Sequence, residues 1–260
     1  MCLIIFAYRS RPRYRLIAAA NRDEFFDRPT LPAQFWDDAP HVLAGRDLKE
    51  GGTWLGITRQ GKFAAVTNFR DPASIKPDAP SRGQLVADFL TGRVNAATYM
   101  EKVSRIGHRY NGFNLICGDP SDLFYYSNRG DLRRLSPGVY GLSNALLDSP
   151  WPKVLKGKKA MEAALQHKGT ALEEQLFHML ADRKTAPPHR LPQTGVTPEW
   201  EKVLSAVFIQ SPNYGTRSST VIRFAQNGWV TFVERSFNGS NHPWLESRFS
   251  FLLPSKAKKR

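Results

Sequence analysis

The chain has 260 residues, 41% of them hydrophobic, enough to bury a full core as one large domain or two small ones. Its formal net charge is +14; Lys256, Lys258, Lys259 and Arg260 carry four of those charges and leave +10 elsewhere, a balance that favours anionic partners. No window of about 18 apolar residues occurs, which excludes a transmembrane helix, and two cysteines, Cys2 and Cys117, exclude a disulfide framework and suit a reducing compartment.

From the N-terminus, Cys2-Leu3-Ile4-Ile5-Phe6-Ala7 reads as an apolar strand. It is too short for a signal-peptide core and lacks a preceding basic segment, so the chain is expected to stay in the cytoplasm. Met1 is expected to be removed, because the next side chain is small. The thiol and a free α-amine would then share Cys2, and with pKa values of about 8.5 and about 7.7–8.0 the amine can act as base to its own side chain. A cysteine at the head of an apolar strand also suits plain core packing.

Arg15-Leu16-Ile17-Ala18-Ala19-Ala20 is a second strand, reached through the turn-prone Arg9-Ser10-Arg11-Pro12-Arg13. Pairing the two as an antiparallel hairpin centred near Arg11 sets Ala20 opposite Cys2 and brings Asn21-Arg22-Asp23-Glu24 beside the terminus. A guanidinium there favours thiolate, and a carboxylate can hold or orient the amine. A solvated turn is the ordinary alternative for such a tetrapeptide.

Further along, residues 54–58 and 62–67 read as a second hairpin across Arg59-Gln60-Gly61. After a loop through Pro72, Pro77 and Pro80, Ser81 is placed to cap a helix carrying Leu85, Val86, Phe89 and Leu90, and a second amphipathic helix spans about 96–106. Strands are expected at 113–117, 123–126 and 132–135, helices at 152–166, 172–181 and 200–208, and closing strands at 220–224, 229–234 and 249–252. Strand pairs on short turns, with helices arriving in pairs, suit antiparallel sheets covered by helical layers rather than βαβ units.

At Asn21-Arg22-Asp23-Glu24 the chain resembles the NRDE family, also called the transport and Golgi organisation protein 2 family. Further matching segments are Gly45-Arg46-Asp47, Gly51-Gly52-Thr53-Trp54-Leu55-Gly56, Val66-Thr67-Asn68-Phe69-Arg70, Ser81-Arg82-Gly83, Tyr110-Asn111-Gly112-Phe113-Asn114, Gly141-Leu142-Ser143-Asn144 and Thr216-Arg217-Ser218-Ser219-Thr220. The resemblance implies an α+β fold: a four-layer αββα sandwich of two antiparallel sheets flanked by helices, as in N-terminal-nucleophile (Ntn) hydrolases such as penicillin V acylases and bile-salt hydrolases. A single domain over 1–254 followed by a basic tail at 255–260 is expected. The family is linked to haem trafficking and to lipid or acyl-CoA homeostasis without an agreed reaction.

In such a site an oxyanion needs donors. The resemblance assigns that part to Asn144, ahead of Ser149-Pro150-Trp151, and sets Arg217 against the cysteine; an Asx turn and a surface arginine are the plain alternatives. The expected catalytic set is Cys2, Arg22, Asp23, Asn144 and Arg217, and the expected substrate-binding set is Asn21, Glu24, Trp54, Asn68 and Tyr214. Trp36, Phe69 and Arg46 are further pocket candidates. The six histidines show no metal-site pairing, neither cysteine precedes a proline as in a haem-binding Cys-Pro, and no phosphate loop is present.

No nucleic-acid motif accompanies the basic charge. A small anionic or acyl ligand is therefore the expected partner, with surface association through the basic tail. Two functions fit: a hydrolase or acyltransferase in which Cys2 attacks an amide or thioester carbonyl, or a non-enzymatic haem or lipid/acyl-CoA binding and trafficking protein using the same pocket. No cofactor is required, and haem would enter as a ligand.

Overall fold

In the computed structural model, which describes residues 2–240 and 242–254, thirteen strands form two antiparallel sheets. The removal of Met1 and the basic tail at 255–260 lie outside the described residues. The first sheet contains β1 (Cys2–Arg11), β2 (Tyr14–Phe25), β10 (Gly138–Leu142), β11 (Tyr214–Ala225), β12 (Trp229–Ser236) and β13 (Leu245–Leu252), in the order β10-β1-β2-β11-β12-β13. The second runs in chain order from β3 (Thr30–Phe35) through β4 (Val42–Asp47), β5 (Leu55–Thr58), β6 (Phe63–Asn68), β7 (Phe113–Asp119) and β8 (Asp122–Ser127) to β9 (Arg133–Arg134).

Side-chain alternation separates the layers. Ile4, Phe6, Ala18, Ala20, Ile222 and Phe232 face inward and meet Leu55, Phe63, Ile116 and Tyr125 of the second sheet. Leu3, Ile5, Ile17 and Ala19 face outward under α3 (Pro152–Ala164) and α4 (Gly169–Leu180). On the other side, α1 (Arg82–Thr91) and α2 (Ala96–Ile106) cover Val66, Phe113 and Leu115. The result is the expected αββα sandwich. A fully buried Phe or Leu contributes about 1.5–3 kcal/mol, so the three apolar layers dominate the fold. A short helix, α5 (Pro198–Leu204), adds a small cluster with Ile209 and Tyr214.

Several boundaries differ from the sequence reading. The strands β3 and β4 were not expected: β3 contains Pro32, which a strand tolerates at a sheet edge, and β3 is the edge of its sheet. Strand β10, with Gly138 and Gly141, is hidden by its glycines. Strand β11 begins at Tyr214 rather than Thr220, and α5 ends at Leu204 rather than near Phe208. The first hairpin is also offset from its expected register: Cys2 pairs with Arg22 and Ala20 with Ile4. The cause is the turn, which falls at Pro12-Arg13 with Arg11 opposite Tyr14 rather than being centred near Arg11; the irregularity between Tyr8 and Arg11, with Arg9 at a φ of +47°, then takes up one residue.

Two features fix the sheets relative to each other at one end. The Ala33 N–H of β3 donates to Glu234 Oε1 of β12 at 2.7 Å. On the far side, Thr67 Oγ1 donates to the Ser143 carbonyl at 2.6 Å, and the Arg70 N–H to the Asn144 carbonyl at 2.7 Å. The start of α1 is fixed as tightly: a Cβ at Gly52 would lie 2.6 Å from the carbonyl carbon of Gly83, so only glycine lets these backbones touch.

Candidate active site

Cys2, Arg22, Ser218 and Ser236 form a row across β1, β2, β11 and β12, each directly opposite the next. Residues directly opposite in an antiparallel sheet share a face, so the row continues the inner face where the apolar core stops. All four border a cavity of about 290 Å³. Glu24, Arg82, Arg217 and Glu234 border it too, as do the expected pocket residues Trp54, Asn68 and Arg46. Arg217 reaches it because the β11 register slips between Thr216 and Ser218, freeing its side chain to bond the carbonyls of Phe25 and Arg28 at 2.7 and 3.0 Å.

Cys2 is 7% exposed and its thiol is free. Burial pushes the thiol up and the Asp23 carboxylate adds to the rise, while the Arg22 guanidinium and the Asp23 backbone N–H pull it back toward thiolate. Arg22 is itself buried, with Nη2 4.0 Å from Glu24 Oε2 and Nη1 lacking a hydrogen-bond partner among the described residues. Arg82 donates to the Gly112 carbonyl at 3.1 Å, and burial lowers its pKa while the neighbouring Cys2 opposes the shift.

Alternation sends Asn21 and Asp23 to the opposite face. Asn21 Nδ2 donates to the carbonyls of Leu180 and Val207 at 2.9 and 2.8 Å, and its Oδ1 accepts from Ser219. This amide ties β2 to the helical layer and does not border the cavity, which corrects its assignment to substrate binding. Asp23 borders the cavity, yet its Oδ1 accepts from Thr216 Oγ1 at 2.7 Å in the outer layer. Burial raises the Asp23 carboxyl, with Lys153 as the strongest opposing charge. Tyr214 also lies off the cavity; its hydroxyl donates to the Asp23 carbonyl at 3.1 Å and its ring packs on Phe25.

Asn144 stands one layer behind its expected place. Its Nδ2 donates to the Asn68 carbonyl at 3.0 Å and its Oδ1 accepts from Ser143 at 3.2 Å, while Ser143 Oγ also lies 3.1 Å from the Cys2 carbonyl. Asn144 has no exposure and does not border the cavity, whereas Asn68 does. Asn144 thus fixes the Asn68 main chain at the cavity wall. Trp36 and Phe69 do not border the cavity; Trp36 carries the Arg46 guanidinium 4.3 Å over its ring.

Sequence reasoning missed Glu234, Arg82 and Lys153. Glu234 continues the inward stripe of Val230 and Phe232, and a carboxylate there was legible as an interruption of an apolar face. It accepts from Ala33 N and Thr220 Oγ1, and burial raises its pKa. Lys153 shares a helical face with Gly157 and Met161 at four-residue spacing, so a lysine in that stripe was the available signal. Among the described residues, no group of three or more His, Cys, Asp or Glu side chains is arranged to hold a metal ion, and no helix is long and apolar enough to cross a membrane.

The chain matches the family model described as Transport and Golgi organisation 2 over residues 1–239. It is 45% identical to the Transport and Golgi organization protein 2 homolog of Bos taurus, over 98% of this chain and 100% of that one. The Homo sapiens homolog is 41% identical over the same shares. Among solved structures, an N-acylethanolamine-hydrolyzing acid amidase (NAAA) ortholog of Caenorhabditis elegans superposes with a TM-score of 0.51 at 10% identity, over 85% of this chain and 92% of that one. A mutant conjugated bile acid hydrolase from Clostridium perfringens gives 0.52 at 8% identity, over 99% and 94%. At such identities the likeness is one of fold, and the fold is Ntn-hydrolase-like.

Proposed function

The chain belongs to the Transport and Golgi organisation 2 family, and from that premise we propose that it is a cysteine Ntn hydrolase or acyltransferase acting on an amide or thioester of a small, anionic acyl compound. The observation that carries the reading is the placement of Cys2 against a cavity with Arg22 directly across the ladder.

In this reading, removal of Met1 leaves the α-amine on Cys2. The amine takes the Sγ proton, and the thiolate attacks the substrate carbonyl carbon. Arg22 and the Asp23 N–H favour the thiolate, and Asn68, which borders the cavity and whose main-chain carbonyl is held by Asn144, would supply a side-chain donor to the oxyanion. Collapse expels the amine or thiol with the proton held by the α-ammonium, and water or a second acceptor then releases the acyl group from Sγ. Arg82 and Arg217 face the same space and suit an acidic group on the substrate. Two free cysteines suit a reducing compartment, and a cytoplasmic location is part of the proposal.

The raised Cys2 thiol favours a second reading, in which the pocket binds haem or a lipid without turnover. Incubation with a panel of acyl thioesters, followed by intact mass, separates the two. A covalent acyl adduct on Cys2 that is lost in Cys2→Ala supports the enzyme. No adduct together with a Soret shift on haem titration supports the carrier.

A further inference from the structure

Cys2 opens β1 at the cavity, and Arg11 closes the same strand at the other end of the sandwich, about 30 Å away at roughly 3.3 Å per residue. Basic charge gathers at that far end. Arg9, Arg11 and Arg13 are exposed around the Pro12-Arg13 turn, and Arg15 is half-buried. Among the described residues no carboxylate pairs with any of the four. Arg15 donates to Gln226, through Nε to Oε1 and through Nη2 to the carbonyl, each at 3.1 Å. The acids of the neighbouring β7–β8 turn are occupied: Asp122 is held by Arg134 at 2.5 Å, and Asp119 accepts from the N–H groups of Ser121 and Asp122.

Three segments of chain meet at this end. The Gln226 N–H donates to the Arg13 carbonyl at 3.0 Å, which sets the β11–β12 turn beside the β1–β2 turn. The Leu253 N–H donates to the Gly228 carbonyl at 3.0 Å, which brings the end of β13 beside both. The described chain stops one residue later, and the sequence goes on to Lys256, Lys258, Lys259 and Arg260. With the four arginines these carry eight positive charges, against a net charge of +14 for the whole chain. Two large apolar side chains stand at the same place. Trp229 and Leu252 are directly opposite in the β12–β13 ladder, so they share a face, and they are 49% and 57% exposed. Strands β2 and β12 are two places apart, which puts Trp229 roughly 10 Å from Arg15.

Unpaired guanidinium groups beside an exposed indole and an aliphatic side chain match the boundary between lipid headgroups and acyl chains, where cations meet anionic phosphates and tryptophan is favoured. A nucleic acid would engage the arginines and offer nothing to Leu252. We propose that this end of the sandwich is a docking surface for an anionic phospholipid bilayer, with Arg9, Arg11 and Arg13 on the headgroups and Trp229 and Leu252 at the acyl boundary. The folded turns form the surface, and the basic tail only adds to it. Docking leaves the cavity at the far end of β1 and does not rest on the chemistry of Cys2.

Cosedimentation of the full chain with vesicles tests this. Binding is expected to phosphatidylcholine vesicles that contain phosphatidylserine and not to pure phosphatidylcholine. It should be lost as salt rises from about 0.15 M to about 1 M, where the Debye length falls from about 8 to about 3 Å. Arg9→Gln, Arg11→Gln and Arg13→Gln together are expected to lower the partition coefficient about a hundredfold. Arg11→Gln alone, expected to lower it about fivefold, serves if the triple variant melts early. Trp229→Ser with Leu252→Ser should lower it about tenfold. Replacing the four tail cations by Gln should weaken binding while keeping the preference for phosphatidylserine. A folded triple variant that binds as wild type does overturns the inference, as does equal binding to neutral vesicles. Complete loss in the tail variant overturns it too, and so does tighter binding of a single-stranded RNA through the same arginines. Cys2→Ala is expected to bind vesicles as wild type does, so failure of the hydrolase reading leaves the docking surface standing.

Discussion

Arg22 lies directly across the first ladder from Cys2, so the hydrogen-bonded pairing of β1 with β2 itself carries a guanidinium to the thiol. Opposed residues in such a pair have Cβ atoms about 4.5–5.5 Å apart, within range for one charge to shift the ionisation of the other. The buried thiol and its charged neighbour arise from one register choice, and the predictions below test what that choice does.

Cys2→Ala is expected to abolish acyl-adduct formation and turnover, since among the described residues the other cysteine, Cys117, does not border the cavity, and Cys2→Ser to retain at most about a thousandth of the rate. The fold should persist with a loss of about 1 kcal/mol, measured by urea unfolding. Turnover equal to wild type in Cys2→Ala would exclude the proposed nucleophile.

Arg22→Met removes a charge that favours the thiolate and a buried donor that lacks a partner. Alkylation of Cys2 at pH 7 should slow by roughly tenfold. Stability should change by less than about 1 kcal/mol, because the lost ion pair with Glu24 is long. A large loss of stability with unchanged thiol reactivity would assign Arg22 a purely structural part.

Glu234 gives a pH signature. Its folded pKa is raised by burial, so the unfolded chain ionises first and the fold loses stability as pH rises from about 4.5 through the higher folded value. Glu234→Gln, which cannot ionise, should therefore match wild type near pH 4 and exceed it at pH 7, provided the amide keeps the Ala33 and Thr220 bonds. Denaturant unfolding at the two pH values reads the difference, and equal offsets at both would contradict it.

Lys153 titrates in the other direction. With a folded pKa of about 8 against an ordinary 10.5, both states are charged below pH 8 and the cost of burial is complete there. As pH rises from 8 to 10.5 the folded state deprotonates first and wild type gains stability. Lys153→Met should be more stable than wild type at pH 7 by about 1–3 kcal/mol, and that advantage should shrink toward zero above pH 10.5. An advantage constant with pH would mean that packing, not charge, is responsible.

Gly52→Ala places a methyl 2.6–2.9 Å from the backbone of Gly83 and Gln84. Overpacking against backbone should cost about 1–3 kcal/mol and shift the start of α1 together with Arg82. A melting temperature within one degree of wild type would show that the segment yields freely.

The sequence by itself determined the layers and the active end. Apolar runs in Leu3–Ala7 and Leu16–Ala20 require a buried central hairpin, and amphipathic spacing in 85–90 and 96–106 requires helices lying on a sheet. The position of Cys2 and of the tetrapeptide that follows the second run placed the thiol beside charge before any coordinates did. The tertiary structure decided what each charged residue does, because alternation along a strand depends on register and register depends on where the turn falls, at Pro12-Arg13, with the irregularity at Arg9 taking up one residue. A shift of the pairing brought Arg22 rather than Ala20 opposite Cys2, while the parity of β2 sent Asn21 and Asp23 to the outer face. It also interposed Asn68 between Asn144 and the cavity. Lys153 and Glu234 belong to the site only because helix α3 packs on β1 and strand β12 lies two places from β2, contacts between distant stretches of chain that no local pattern encodes.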